Sequence, residues 1–330
     1  MIGVWQRVLS SLDRHGRVAM VTIAGVRGSS PRETGARMIV NPDGTFTGTI
    51  GGGTLEWKVL AMAQAALANP AASRAEARGF ALGPALGQCC GGNVDVILEI
   101  IAAADRAGVA DFAERERAGG FSTRGRLVPD RGVIRDVVTD AAPPESAAYA
   151  SGVLTEGFGD NRRPLLLFGA GHVGRAVVLA LAPLPFRVTW LDPRPDQFPA
   201  HVPANATAVA LAEPEAAFRG APDDAFVLIM SHSHQLDLAI TAAALADRHF
   251  PYVGLIGSKT KRVRFERRLA SAGIPADRIA ALVSPIGIDG IDGKAPAIIA
   301  ASGVAEMLVR DEALRAAAPL PTVLSRSRIA

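Results

Sequence analysis

The sequence predicts an α/β protein of two domains: an N-terminal mixed α+β domain with its linker over residues 1–160, then a Rossmann-like doubly wound parallel sheet over residues 161–330. Three observations carry that expectation. A chain of 330 residues has room for two cores, since domains usually run to about 100–200 residues. From Pro164 onward short apolar runs alternate with longer helical stretches, the pattern of a parallel sheet. The turn Gly169-Ala170-Gly171-His172-Val173-Gly174 lies between a strand and a helix, as a phosphate-binding turn does.

In the first domain, Val4, Trp5, Val8, Leu9 and Leu12 recur at helical spacing and place one buried face on residues 1–18. A strand follows over 18–23. The loop Gly25-Val26-Arg27-Gly28-Ser29-Ser30-Pro31-Arg32 is too rich in Gly, Ser and Pro for either periodic element. A hairpin comes next, with strands through Met38-Ile39-Val40 and Thr45 to Ile50 and a turn at Asn41-Pro42-Asp43-Gly44. Thr54 reads as the N-cap of a helix holding Leu55, Val59, Leu60, Met62 and Ala63. Beyond a weakly patterned stretch, Val94 to Ile100 forms a strand, 109–118 a charged helix, and 121–138 short strands.

In the second domain, strands are expected at 165–168, 187–191, 206–210, 226–230, 253–256 and 281–283. Their expected order is 3-2-1-4-5-6.

Composition narrows the function. Lys plus Arg number 35 against 32 Asp plus Glu, a formal charge of +3, too small to argue for nucleic acid as partner. Charged positions break the apolar pattern of the first twenty residues, and no run reaches the roughly 18 apolar residues of a membrane span. A cytoplasmic protein is expected. The two cysteines, Cys89 and Cys90, are sequence neighbours, so a bond between them would strain the peptide and staple no loop; they read as free thiols.

Several residues are candidates for chemistry. Gly169 allows the tight bend, Gly171 lets backbone approach a phosphate, Gly174 lets the helix pack on the strand, and His172 fills a spacer position. Asp192, ending the next strand, stands where a ribose hydroxyl is accepted. Alternatively the domain keeps the scaffold and binds another phosphorylated ligand, or none. The helix starts at Gly257-Ser258-Lys259 and Gly293-Lys294-Ala295-Pro296 follow strands, so Ser258, Lys259 and Lys294 border the same sheet edge; each lysine alone fits a solvent-facing loop equally well. His232 and His234 with Asp237 offer too few ligands to name a metal site and read better as cleft-lining histidines. Gly51, Gly52 and Gly53 ahead of a helix, with Arg27, Arg32 and Arg37 nearby, give the first domain its own potential anion pocket, or the arginines simply solvate a loop. The thiolates of Cys89 and Cys90 are either soft ligands or small buried hydrophobes.

Three separated segments together resemble the XdhC/CoxI family. They are Gly28-Ser29-Ser30-Pro31-Arg32 through Gly51-Gly52-Gly53-Thr54-Leu55-Glu56, then Gly87-Gln88-Cys89-Cys90-Gly91-Gly92, then the second half. The last includes Phe168 to Gly174, Asp192-Pro193-Arg194, His232 to Asp237, Ile256-Gly257-Ser258 with Lys261-Arg262, and Pro285-Ile286-Gly287 with Gly293-Lys294. The resemblance implies a maturation factor for xanthine dehydrogenase that transiently binds molybdenum cofactor (molybdopterin). Such a protein keeps the cofactor while a cysteine desulfurase supplies its terminal sulfido group, then inserts it into apo xanthine dehydrogenase, with no turnover of its own. It assigns Cys89, Cys90, Arg32 and the glycine turns to the cofactor. Ser284 stands where many relatives carry cysteine, which leaves Cys89 and Cys90 as the protein thiols. A cleft between the halves is the expected seat, a homodimer is a fair expectation, and an NAD(P)-dependent oxidoreductase is the alternative built on the Gly169 turn and Asp192 alone.

Overall fold

The computed structural model describes residues 3–83, 91–139, 142–246 and 249–317. Its described residues up to 161 and from 162 onward form two compact units. Among them no helix is long and apolar enough to cross a membrane.

The first unit is built on strand β1 (Arg17–Arg27), which pairs antiparallel with both β2 (Arg37–Val40) and β5 (Asn93–Ala102). The sheet order is β3-β2-β1-β5-β4, with β3 at Phe46–Gly48 and β4 at Ala75–Ala81. Side chains alternate across a strand, and β1 uses both faces. Ala19, Val21 and Ile23 pack under α2 (Gly53–Ala68) with Leu55, Val59, Ala63 and Leu67. Val18 and Met20 pack under α1 (Val4–His15) with Trp5, Val8 and Leu12. Helix α1 stops at Gly16, whose left-handed backbone lets its N–H reach the Leu12 carbonyl.

After α3 (Arg106–Ala118) comes an antiparallel sheet ordered β7-β6-β9-β8. Its strands are β6 (Phe121–Val128), β7 (Gly132–Val138), β8 (Ala147–Ala150) and β9 (Val153–Phe158). The two sheets of this unit are joined by a buried chain of alternating charge. Arg37 on β2 reaches Glu156 on β9 at 3.2 Å, Glu156 reaches Arg135 on β7 at 2.7 Å, and Arg135 reaches Glu99 on β5 at 2.7 Å.

The second unit is a parallel sheet ordered β12-β11-β10-β13-β14. Its strands are β10 (Arg163–Phe168), β11 (Phe186–Asp192), β12 (Ala206–Ala210), β13 (Phe226–Ile229) and β14 (Tyr252–Leu255). Leu165 and Leu167 face α4 (His172–Leu181) and α8 (Pro296–Ala317), while Leu166 and Phe168 face α5 (His234–Ala246) and α6 (Lys259–Ser271). The short α7 spans Ala276–Ala280.

Four expectations need correction. Gly25-Val26-Arg27 belong to β1 rather than to a loop, because beyond a register shift at Ile23/Gly25 they pair with Asp95, Val94 and Asn93 of β5. The sixth strand at 281–283 is only one parallel bridge, Val283 to Gly254, because α7 ends at Ala280 and Pro285 lacks the N–H that a longer ladder needs. Helix α2 begins at Gly53, with Gly52 rather than Thr54 at its N-cap. Strands β4, β8 and β9 were not foreseen: β4 is mostly exposed, and β9 buries Glu156, so neither shows apolar alternation.

Candidate functional site

At the carboxyl edge of the parallel sheet, β10 and its neighbour β13 lead to helices on opposite faces, the place where such sheets bind ligands. Gly169 has φ +117, and a Cβ there would run into the carbonyl of Met230 at the end of β13. A Cβ at Gly174 would strike the Gly169 carbonyl and crowd Trp190, whose indole N–H donates to that same carbonyl at 2.9 Å. Gly171 differs, for a Cβ there would meet nothing within 4 Å. It is the N-cap of α4, and no side chain caps that helix. The first N–H groups of a helix lack intrahelical partners, so those of α4 stay available to an anion beside Gly171, with His172 exposed at the first turn.

Asp192 does not stand ready for a ribose. It is 1% exposed, and both of its oxygens are engaged by the protein. Oδ1 accepts from the Arg194 backbone N–H at 3.0 Å and from Arg194 Nε at 2.9 Å. Oδ2 accepts from the Ala170 N–H at 2.8 Å and Arg194 Nη2 at 3.0 Å. Burial alone would raise its pKa, but the Arg194 guanidinium and these two N–H groups prevail and hold it below the ordinary carboxylate value. The carboxylate therefore fixes the glycine turn to the end of β11, and Arg194 covers it.

The other loops of this edge are tied in the same way. Asp237 is 1% exposed; its oxygens accept from the Ser231 N–H at 2.9 Å and Lys261 Nζ at 2.7 Å. That removes it as a metal ligand beside His232 and His234, which are exposed. Among the described residues no group of three or more His, Cys, Asp or Glu is placed to hold a metal ion. Ser258 caps α6 by accepting from the Lys261 N–H at 3.2 Å, and Lys259 is exposed. Lys294, just ahead of α8, is exposed too. Buried Ser284 leaves its hydroxyl without a hydrogen-bond partner among the described residues.

In the first unit the family-like segments converge. A Cβ at Gly51 would meet the Pro31 ring at 2.7 Å, and one at Gly92 would strike the backbone of Arg27 and Ser29. Ser29 and Gly91 form an isolated parallel bridge. Loop 28–32, the Gly51-Gly52-Gly53 triplet and Gly91-Gly92 are thus one cluster; Cys89 and Cys90 lie outside the described residues.

A carboxylate stands beside the expected anion pocket at the triplet. Glu56, one turn into α2, accepts from the Ile50 and Gly52 N–H groups at 3.0 and 3.1 Å and from the Thr49 hydroxyl. The N–H groups of the loop just ahead of α2 are thus taken by the chain's own carboxylate, while no side chain caps α2 itself. The three arginines also separate. Arg27 pairs with Asp95 in solvent, Arg37 is buried in the ionic chain, and Arg32 pairs with Glu33 at 2.7 Å. The motifs include Glu56, Arg194 and Lys261, but the sequence assigns them no role, because their partners are set by the turn geometry.

The comparisons with known proteins agree with one another. A family model described as the XdhC Rossmann domain matches residues 165–307, and one described as the XdhC and CoxI family matches residues 11–76. The Escherichia coli (strain K12) protein YqeB, described as uncharacterized, is 28% identical over 294 residues, 88% of this chain and 43% of that protein. The chain thus spans less than half the length of this curated relative. A crystal structure from Bacillus halodurans, described as a xanthine dehydrogenase, is 25% identical with a TM-score of 0.76, covering 95% of this chain and 97% of that one.

Proposed function

The chain belongs to the XdhC and CoxI family, and on that premise we propose that it is a maturation factor for xanthine dehydrogenase. In this reading it binds molybdenum cofactor transiently, shields it while a cysteine desulfurase supplies the terminal sulfido group, and inserts it into the apoenzyme. It turns over no substrate of its own. The observation that carries the reading is the open turn at Gly171, where an uncapped helix start suits the phosphate of a phosphorylated pterin. Cys89 and Cys90 are the soft ligands assigned to the metal; they precede Gly91, which bridges to Ser29 in the glycine cluster. Ser258, Lys259 and Lys294 border the sheet edge that holds the turn, and Arg32 flanks the cluster. Delivery favours affinity near micromolar, about −8 kcal/mol, over the tightest noncovalent binding.

The NAD(P)-dependent oxidoreductase reading is disfavoured by Asp192, whose oxygens are saturated by Ala170 and Arg194. A dinucleotide would first have to displace Arg194 to have its ribose read there.

The test uses protein purified from a host that makes the cofactor, oxidised to release fluorescent pterin. Wild type should yield pterin, and folded Gly171→Asp about tenfold less or lower, since a carboxylate then occupies the helix start and a charge-assisted contact is worth roughly 1.5–3 kcal/mol. Folded wild-type protein free of pterin, or a Gly171→Asp variant loaded like wild type, sinks the proposal.

A further inference from the structure

The first unit contains a cavity of about 220 Å³, lined by Arg7, Arg32, Glu33, Arg37, Thr49 and Glu145 among others, of which the cofactor reading uses Arg32 alone. Its charges are unequally matched. Arg32 commits Nε and Nη2 to Glu33. Arg37 directs its terminal nitrogens to Glu156 and to the carbonyls of Gly35 and Ser146. Arg7, on α1, has no side-chain hydrogen bond or ion pair among the described residues. The acid beside it, Glu116, uses both oxygens to accept from the Val4 and Trp5 N–H groups at 3.0 and 2.9 Å. The Nε atoms of Arg7 and Arg37 are both buried without an acceptor among the described residues.

A half-buried guanidinium that makes no hydrogen bond or ion pair is costly unless something pairs with it. Burial lowers the Arg7 pKa, with Glu116 and Glu145 pulling the other way, yet an arginine stays charged at any physiological pH. Burial likewise pushes the Glu145 carboxyl up, and among the described residues Glu145 makes no ion pair with Arg7. A cation is a poor occupant beside an unpaired guanidinium. An oxyanion would meet Arg7 and the free edge of Arg32 as a planar fork meets carboxylate or phosphate.

We infer that this cavity, lined by Arg7, Arg32 and Arg37, is a binding site for a small oxyanion, a phosphate monoester or a carboxylate. It is independent of the α4 turn and goes beyond the cofactor reading. The experiment is calorimetric titration of the full chain carrying Gly171→Asp, which closes the α4 turn, with inorganic phosphate in one arm and malonate in the other. Binding of one anion is expected, and the anion preferred identifies the class. Adding Arg7→Gln should weaken it about tenfold or more, the loss of one charge-assisted hydrogen bond. Should that variant fail to fold, Arg32→Gln takes its place with the same expectation. Neither anion binding, or binding unchanged by both arginine substitutions, overturns the inference. The pterin assay can fail while this titration succeeds, and the reverse, so the two proposals fall separately.

Discussion

Four ionised side chains, Arg37, Glu156, Arg135 and Glu99, lie at 6% side-chain exposure or less, and such burial is tolerable only because each charge meets an opposite one. Removing one member leaves its neighbours uncompensated. Glu156→Ala should therefore destabilise the first unit by about 3–5 kcal/mol, measured by urea unfolding. The sign of its pH dependence follows from the same contacts. Burial would raise the Glu156 pKa, but Arg135 and Arg37 overcome that and hold it below its ordinary 4.5. The contribution is thus complete above about pH 4.5 and is lost as the pH falls through the folded value, where the unfolded chain already binds the proton. Wild-type stability should fall in that acid range more steeply than that of Glu156→Gln. At Asp192 the same kind of pairing has a functional consequence. Arg194→Ala uncovers one side of the carboxylate, so affinity for ADP-ribose should rise in calorimetry while the Ala170 contact keeps the turn in place. An unchanged affinity would mean that Arg194 is no barrier to a ribose.

Within one turn, three glycines do different work, and substitution separates them. Gly169 has a left-handed φ and abuts the Met230 carbonyl, so Gly169→Ala should destabilise the second unit by about 1–3 kcal/mol in thermal unfolding. Gly174 should be similarly intolerant, since a side chain there enters the turn's own backbone. Gly171 has ordinary φ −74 and open space. Gly171→Asp should keep or raise stability by a few tenths of a kcal/mol as a helix cap, while weakening anion binding at the turn. A glycine whose replacement spares the fold and removes the ligand is the signature of a site. The Gly51-Gly52-Gly53 triplet looks alike in sequence, yet Glu56 takes the Ile50 and Gly52 N–H groups ahead of its helix, and with that carboxylate beside it wild type should bind little phosphate there in calorimetry.

At the scale of the whole molecule, each unit has its own cores, and the family motifs are divided between them: one cluster around loop 28–32 and one at the α4 turn. A carrier of a phosphorylated pterin needs an anion cradle, proposed at the α4 turn, and a soft ligand, proposed at Cys89 or Cys90. Cys89→Ala and Cys90→Ala should leave the unfolding midpoint unchanged, because adjacent thiols cross-link no loop. Pterin retention should fall in at least one of them, read by released fluorescence per folded chain. Equal retention in both variants would remove the thiols from the cofactor site.

The sequence by itself determined the two kinds of domain, the parallel sheet and the turn after β10, because periodicity and glycine spacing are local and survive without partners. It also sufficed for the family, since the motifs are read in order along the chain. Only the tertiary structure decided which polar groups remain free. Arg194 closing Asp192, Glu56 holding the loop ahead of α2, Asp237 held by Lys261 and Arg7 left beside a cavity all depend on side chains meeting across turns or between distant elements. The loss of the sixth strand was decided in the same way: three apolar residues read as a strand, but the helix before them and Pro285 after them leave backbone for one bridge. Local patterns specify where backbone can bend and which face is apolar. Pairing between charges is long-range, and it determined here which of the predicted sites can still take a ligand.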